Sequence, residues 1–349
     1  MDQNQKDEWL RLRKNRKESL TDEVLLDGIL KGDLSSLSSG ITLLESTKQN
    51  DRNFANELVK NCLPYAGKSI RIGITGVPGV GKSTFIESFG QLLAKNGKKI
   101  AILAIDPTSS FSGGSILGDK TRMQQLSQLE NVFIRPSPAG STLGGVARRT
   151  RESIYLCEAA GFDVILVETV GVGQSETMVH SMVDFFLLLM LSGAGDELQG
   201  IKRGIMEMAD ALVITKADGD NLKKSELACR QYKNAMHLFP PKNNEWIPQA
   251  LTCSSIDNRN MDEIWTIIES FENQTKLNSS FDGNRREQDK FWLKESLDEL
   301  ILAGFYGNDE LVNTLKNVQQ YIEEGNESSF SAAEDLYQRY LKAMNDGRI

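Results

Sequence analysis

Ile70-Arg71-Ile72-Gly73-Ile74-Thr75-Gly76-Val77-Pro78-Gly79-Val80-Gly81-Lys82-Ser83-Thr84 is the stretch that decides what this chain folds into. Gly76 to Ser83 match the spacing G-x-x-x-x-G-K-[ST] in full. An apolar run with strand character, Ile70–Ile74, precedes them, and Phe85, Ile86, Phe89, Leu92 and Leu93 follow at helical spacing. Strand, glycine-rich loop and helix in that order make a phosphate cradle. Glycines at 76, 79 and 81 let the backbone curl until consecutive N–H groups converge on anionic oxygens. The helix opening at Lys82 adds its positive end. Lys82 is expected to reach the β- and γ-phosphates and the Ser83 hydroxyl to ligate magnesium. The residues expected to line the nucleotide are therefore Gly76, Val77, Pro78, Gly79, Val80, Gly81, Lys82, Ser83 and Thr84.

Outward from this loop, short apolar runs alternate with helical stretches between about residues 67 and 272: Ile100–Ile105, Val132–Ile134, Val164–Val167, Phe185–Leu191, Leu212–Ile214 and Ile247–Leu251. Each is too short for a helix, and continuous apolar strands between helices predict an α/β fold with a mostly parallel sheet covered on both faces. Residues 1–66 read as a helical extension, punctuated by Pro64 and Gly67. Asn273 to Asn284 is polar and reads as a loop. The helical tail after it, within residues 273–349, must bury an apolar face on a second subunit or on the chain's own sheet domain.

A phosphate loop needs acids at neighbouring strand ends to hold its metal. Asp106 follows the run Ile100–Ile105, and Glu168 follows Val164–Val167 and opens Glu168-Thr169-Val170-Gly171. In a doubly wound sheet both positions lie on the rim where ligands bind. Asp119 follows the glycine-rich stretch 113–118 and is a third candidate acid. Gly171 is placed to offer its N–H to the γ-phosphate. The next residue is Val172, where a water-holding glutamine is often found, and Gln174 lies two further on, so hydrolysis is expected to be slow unaided. Arg148, Arg149 and Arg151 form either a charge-supporting group or a surface cluster.

Thr215-Lys216-Ala217-Asp218 follows the run Leu212–Ile214 and is close to N-K-x-D, with Thr for Asn. Asp218 can accept from guanine N1–H and the exocyclic amine. Adenine offers neither donor pair, so it would leave the carboxylate unmatched. The Lys216 stem can lie along the base. Thr215 lacks the amide that would tie this loop to the phosphate loop, which predicts lost stiffness. Ser254, in Cys253-Ser254-Ser255, sits where a further base loop is expected.

Composition narrows the class. The 349 residues carry 40 Lys and Arg against 48 Asp and Glu, a net charge of −8, which argues against a nucleic-acid partner. The basic run Arg11 to Lys17 reads as a solvated helix face, and Asp2, Asp7 and Glu8 beside it argue against a transit peptide. Phe185–Leu191 is too short to span a membrane, and a cytoplasmic protein is expected. Cys62, Cys157, Cys229 and Cys253 are scattered, as are His180 and His237, so neither a disulfide framework nor a zinc site is expected.

Four further strings resemble the MeaB/ArgK family, the GTPases associated with methylmalonyl-CoA mutase. They are Asp106-Pro107-Thr108-Ser109-Ser110, the glycine-rich stretch Gly113 to Met123 with Asp119, Glu168-Thr169-Val170-Gly171-Val172-Gly173-Gln174-Ser175-Glu176, and Gly193 to Lys202. Arg149 departs from the small residue expected there. The resemblance implies a GTPase that binds GTP, GDP and Mg²⁺, and that gates transfer of adenosylcobalamin to a B12-dependent acyl-CoA mutase and protects it. It implies that Asp106, Asp119 and Glu168 are magnesium and catalytic acids, and that Gly193 to Lys202 is a nucleotide-responsive segment in which Lys202 assists hydrolysis. It also implies a homodimer formed through the C-terminal helices. Two other classes compete: a kinase or ATPase coupled to lysine, arginine or ornithine transport, against which Asp218 counts, and a non-catalytic nucleotide-dependent scaffold, against which Lys82, Ser83 and Glu168 count.

Overall fold

A computed structural model of the chain describes residues 22–46, 48–105, 123–136, 143–169, 175–193 and 203–346. The seven apolar runs become seven strands: β1 (Ile70–Gly76), β2 (Ile100–Ile105), β3 (Val132–Arg135), β4 (Val164–Thr169), β5 (Phe185–Met190), β6 (Ala211–Ile214) and β7 (Gln249–Thr252). They form one sheet in the order β3-β2-β4-β1-β5-β6-β7, and every neighbouring pair is parallel. Helices cover both faces, so β1 and β5 are buried along their whole length. That burial explains why these strands read as unbroken apolar runs rather than alternating ones.

β1 lies between β4 and β5, where successive connections depart to opposite sides of the sheet. This is the switch point at which open α/β sheets bind ligands, outside the carboxyl ends of the strands. The helix Lys82–Lys95 packs on one face through Phe85, Ile86, Phe89 and Leu93, all fully buried. Phe85 and Phe89 stack at 5.4 Å between ring centroids, and Trp265 of the helix Met261–Leu277 meets Phe89 at 6.4 Å. Each such side chain contributes about 1.5–3 kcal/mol by leaving water.

The N-terminal helices Asp22–Leu30, Leu34–Leu44 and Gln49–Cys62 bury Leu25, Ile29, Leu37, Ile41 and Leu58. Leu156 of the helix Leu143–Ala159 packs over Gly40, which brings this layer onto the sheet's helices. Asp33 caps the second helix by accepting from the Ser36 N–H at 2.8 Å.

The amino ends of β1 and β5 carry a buried ionic cluster. Arg71, 2% exposed, donates through Nε and Nη2 to the two oxygens of Glu158, both at 2.9 Å. Arg285 donates to both oxygens of Asp184, at 2.7 and 2.6 Å, and to the carbonyls of Gly67 and Ser69. The bidentate Arg285–Asp184 pair fastens the root of the helix Ser280–Tyr306 to the sheet, and Arg71–Glu158 fastens the helix Leu143–Ala159 to β1. Burial opposes ionisation of Glu158, but the Arg71 guanidinium and then Arg285 outweigh it and hold its pKa below the ordinary value.

Two expectations are corrected. Asn273 to Asn284 is helical apart from a turn at Asn278 and Ser279: the helix Met261–Leu277 runs into it and Ser280–Tyr306 starts within it. Most of its polar residues are exposed or half-buried while Thr275 and Phe281 are buried, as is Phe271 one turn before Thr275, and one buried residue per turn is enough to hold a helix to a surface. The run Ile247–Leu251 begins its pairing only at Gln249. Pro248 has no N–H to offer a ladder, and Ile247 is 64% exposed.

The chain divides into two compact units, Met1–Gln288 and Asp289–Ile349. In the second, the helices Asp309–Glu323 and Ser329–Asn345 are capped by Asn308 and Ser328 and bury Leu311, Ala332, Leu336 and Tyr340. Leu293, Leu297, Leu300, Ile301 and Leu302 remain exposed. No helix among the described residues is long and apolar enough to cross a membrane.

Candidate nucleotide site

β1 ends at Gly76, where the chain passes so close to β5 that a Cβ would lie 2.5 Å from the Leu189 carbonyl oxygen. Only glycine fits there. The loop then turns, with Val80 N–H donating to Val77 O at 3.2 Å, and enters its helix through Gly81, whose φ of +92° is left-handed. Gly79, also at positive φ, and Pro78 are exposed, whereas Val80 is buried and anchors the loop in the core. Ser83 and Lys82 are half-buried and Thr84 is exposed, all in the first turn of the helix. Val77 is half-buried and packs against the core. Lys82 Nζ donates to Gly76 O at 2.8 Å, so its ammonium arcs back over the loop, where a polyphosphate would lie. Burial lowers the Lys82 pKa; Glu168 and then Glu176 oppose that and favour the charged form.

Glu168 is the penultimate residue of β4 and pairs in register with Ile74 of β1 and Ala104 of β2. Thr169 beside it donates its hydroxyl to Thr75 Oγ1 at 2.8 Å, stitching the ends of the two strands together. Asp106, Asp119, Gly171 and Lys202 lie outside the described residues, as does all of the segment Gly193 to Lys202 except Gly193. The donor set is oxygen only: the Ser83 hydroxyl and the Glu168 carboxylate, both half-buried on this rim. Among the described residues no group of three or more His, Cys, Asp or Glu forms a cage. That chemistry fits Mg²⁺, a hard ion that keeps several waters and takes one or two protein oxygens together with phosphates.

The base loops are built onto the same platform. The Thr215 hydroxyl, 2% exposed, donates to Val80 O at 2.7 Å. The expected loss of stiffness is therefore corrected: the shorter side chain reaches the phosphate loop because β6 brings it close. Lys216, at φ +56°, extends its side chain across the loop to donate to Gly79 O at 2.8 Å. Ser254, fully buried, donates its hydroxyl to Asp218 Oδ2 at 2.7 Å, and Ala217 N–H donates to Cys253 O at 2.9 Å. The carboxylate is thereby held by a neighbouring loop through one of its oxygens.

Sequence reasoning missed two braces and one buried acid. Ser88 donates to Ser255 O at 2.8 Å, joining the phosphate-loop helix to the second base loop. Asn221 donates to Lys216 O at 2.7 Å and accepts from Ser192 at 2.6 Å. Glu176 is buried, and its charge favours the charged form of Lys82. Ser88 lies on the helix stripe that follows the loop, and Asn221 follows the base box closely, but neither position belongs to a motif.

Arg151 does not serve the phosphates. It is 3% exposed, donates to Met182 O at 3.2 Å and stacks 5.0 Å over the Tyr155 ring, at the amino end of the sheet. Arg148 donates to Glu152 at 3.0 Å, one helical turn on. A cavity of about 630 Å³ lined by His180, Asp184, Phe186, Asp210, Phe239 and Lys242 also opens at the amino ends of β5 and β6, on the rim opposite Gly76.

Residues 37–310 match the family described as methylmalonyl Co-A mutase-associated GTPase MeaB. GTPase ArgK of Escherichia coli is 46% identical over 280 residues, 80% of this chain and 85% of that one. The mitochondrial methylmalonic aciduria type A homolog of Mus musculus is 41% identical over 326 residues, 90% of this chain and 79% of that one. A solved LAO/AO transport system kinase is 36% identical with a TM-score of 0.72, covering 91% of this chain and 97% of that one.

Proposed function

This chain belongs to the methylmalonyl Co-A mutase-associated GTPase family, MeaB, and on that ground we propose that GTP hydrolysis here gates adenosylcobalamin delivery to, and protects, a B12-dependent acyl-CoA mutase. Methylmalonyl-CoA mutase is the default client. The observation that carries the guanine-nucleotide half of the reading is the single platform made by the phosphate loop and the base loops, with Thr215 on Val80, Lys216 on Gly79 and Ser254 on Asp218. The family match carries the client half.

In the proposed cycle the curled backbone of Gly76 to Ser83 binds the phosphates, and Lys82 exchanges its bond to Gly76 O for phosphate oxygens. Asp218 selects guanine. Mg²⁺, when bound, neutralises charge that develops between the β- and γ-phosphates; Ser83, Glu168, Asp106 and Asp119 are the residues proposed to hold it. Lys202 is proposed to support the departing phosphate. With Val172 following Gly171 in place of a water-holding glutamine, turnover is slow until a partner completes the site. The exposed Leu293, Leu297, Leu300 and Ile301 support a homodimer through the C-terminal helices.

The name of one solved relative, an LAO/AO transport system kinase, favours a second reading, a kinase or ATPase coupled to amino-acid transport. Competition of GTP against ATP for the site separates the two, because the Asp218–Ser254 arrangement suits a base with two adjacent donors. GTP turnover measured with and without a B12-dependent mutase then tests the client. Stimulation or altered nucleotide affinity supports the proposal, and turnover indifferent to a saturating mutase overturns it.

A further inference from the structure

Glu176 and Ser175 open the short helix Ser175–His180, and both are sealed from solvent, at 3% and 2% exposed. Glu176 Oε2 and Ser175 Oγ make no hydrogen bond. Folded proteins retain few such atoms, because a buried carboxylate oxygen without a donor is costly. The position is defined by packing. Val179 sits directly over Gly73 of β1, where a Cβ would approach its Cγ1 to 2.8 Å. The helix leads from the carboxyl end of β4 toward the amino end of β5, so it descends against the direction of the strands. Glu176 is three residues before Val179, about 4.5 Å higher along the helix, which sets it level with Ile74 and Thr75 of β1 at about 3.3 Å per residue. That is the level of Glu168, which pairs with Ile74, just beneath the phosphate loop, and the Glu176 charge favours the charged form of Lys82.

A further acid facing a polyphosphate is repulsive unless it has something to accept from. We propose that Glu176 is a further catalytic residue of this GTPase, its carboxylate accepting a hydrogen bond from the water that attacks the γ-phosphate while Ser175 Oγ accepts the other. This rests on the assignment of GTP hydrolysis to the phosphate loop. Two adjacent acceptors use both O–H bonds of one water and leave a lone pair for phosphorus. It also supplies the group lacking at Val172. In the step, the water oxygen bonds to the γ-phosphorus as the bond to the β–γ bridging oxygen breaks. The bridging oxygen leaves on GDP with the electron pair. One water proton passes to the Glu176 carboxylate and from there to the phosphate product.

The test compares single-turnover GTP hydrolysis with equilibrium binding of a fluorescent GTP, using the full chain with Mg²⁺. Glu176→Gln keeps the shape and removes the charge. Hydrolysis should fall about 100-fold or more, with affinity within about threefold of the parent and a thermal midpoint no lower than the parent's. Ser175→Ala should lose rate by a smaller factor, again without loss of affinity. Hydrolysis by Glu176→Gln at the parent rate overturns the proposal, as does an equal fall in rate and affinity, which would mean that Glu176 holds Lys82 or the phosphates. Should Glu176→Gln not fold, Glu176→Asp is measured instead: a loss beyond about tenfold at unchanged affinity supports the assignment, and a parent-like rate overturns it. Failure of the underlying GTPase assignment shows separately, as a parent chain that neither binds nor turns over GTP.

Discussion

Replacing Thr215 by valine tests whether one hydroxyl braces the phosphate loop. The two side chains have nearly the same shape, so the substitution removes a donor and leaves the packing of a residue that is 2% exposed. Thr215 Oγ1 serves Val80 O at 2.7 Å and lies 3.2 Å from Met190 O. Met190 O keeps the Thr215 N–H at 2.8 Å, so the variant orphans a single carbonyl, that of Val80. An unsatisfied buried acceptor costs about 1–3 kcal/mol. If the loop holds its shape when empty, the loss appears as a thermal midpoint lower by about 1–2 °C per kcal/mol. If the empty loop relaxes and must be reordered by ligand, the loss appears as GTP binding weaker by about 5- to 150-fold. Melting curves and fluorescent-GTP titrations on the same samples should together recover 1–3 kcal/mol, and Thr215→Ser should retain most of it. A Thr215→Val protein indistinguishable from the parent in both assays, or a Thr215→Ser protein worse than Thr215→Val, would refute the reasoning and assign the position to methyl packing.

Asp218→Asn turns an acceptor aimed at guanine into a group that can also donate. Preference for GTP over ATP in competition binding should fall at least tenfold, and unchanged selectivity would detach Asp218 from base recognition. Glu158→Gln leaves Arg71 and Arg285 buried without their shared carboxylate and should cost about 3–5 kcal/mol in denaturant unfolding. The sign with pH follows from the lowered pKa of Glu158. The parent's extra stability is complete above the unfolded value near 4.3 and drains away as pH falls through the lower folded value, so its acid limb should be steeper than the variant's. Burial sets the Lys82 pKa below 10.5 in the empty protein. GTP affinity should therefore begin to fall at a more moderate alkaline pH than an exposed lysine would give, and Lys82→Arg should flatten that limb even if it binds more weakly.

The sheet and the phosphate site were legible because their signals are local. An unbroken run such as Phe185–Leu191 is too short for a helix and reads as a doubly covered strand, and eight residues of phosphate loop carry their chemistry in their spacing. Legibility fell where the deciding contact is between distant segments. Thr215 looked like a loss because the sequence does not show how close β6 carries it to Val80. Asn273 to Asn284 looked like a loop because composition records polarity, not the single buried residue per turn that fixes a helix. Arg151 sat among plausible phosphate partners in sequence, yet its place at the amino end of the sheet spends it on Met182. Glu176 could be quoted within a motif but its burial could not be read there.

The stitching of β1 has a mechanical corollary. Its ladder is filled on both sides by β4 and β5, its far end is held by the Arg71 ion pair, and its near end by Thr75 against Thr169. Sliding by one residue would exchange the side chains between its two packed faces, so this strand is a fixed floor. Whatever alters when triphosphate becomes diphosphate must be sought in the walls that rise from it, and a probe on β1 should register the same environment throughout the cycle.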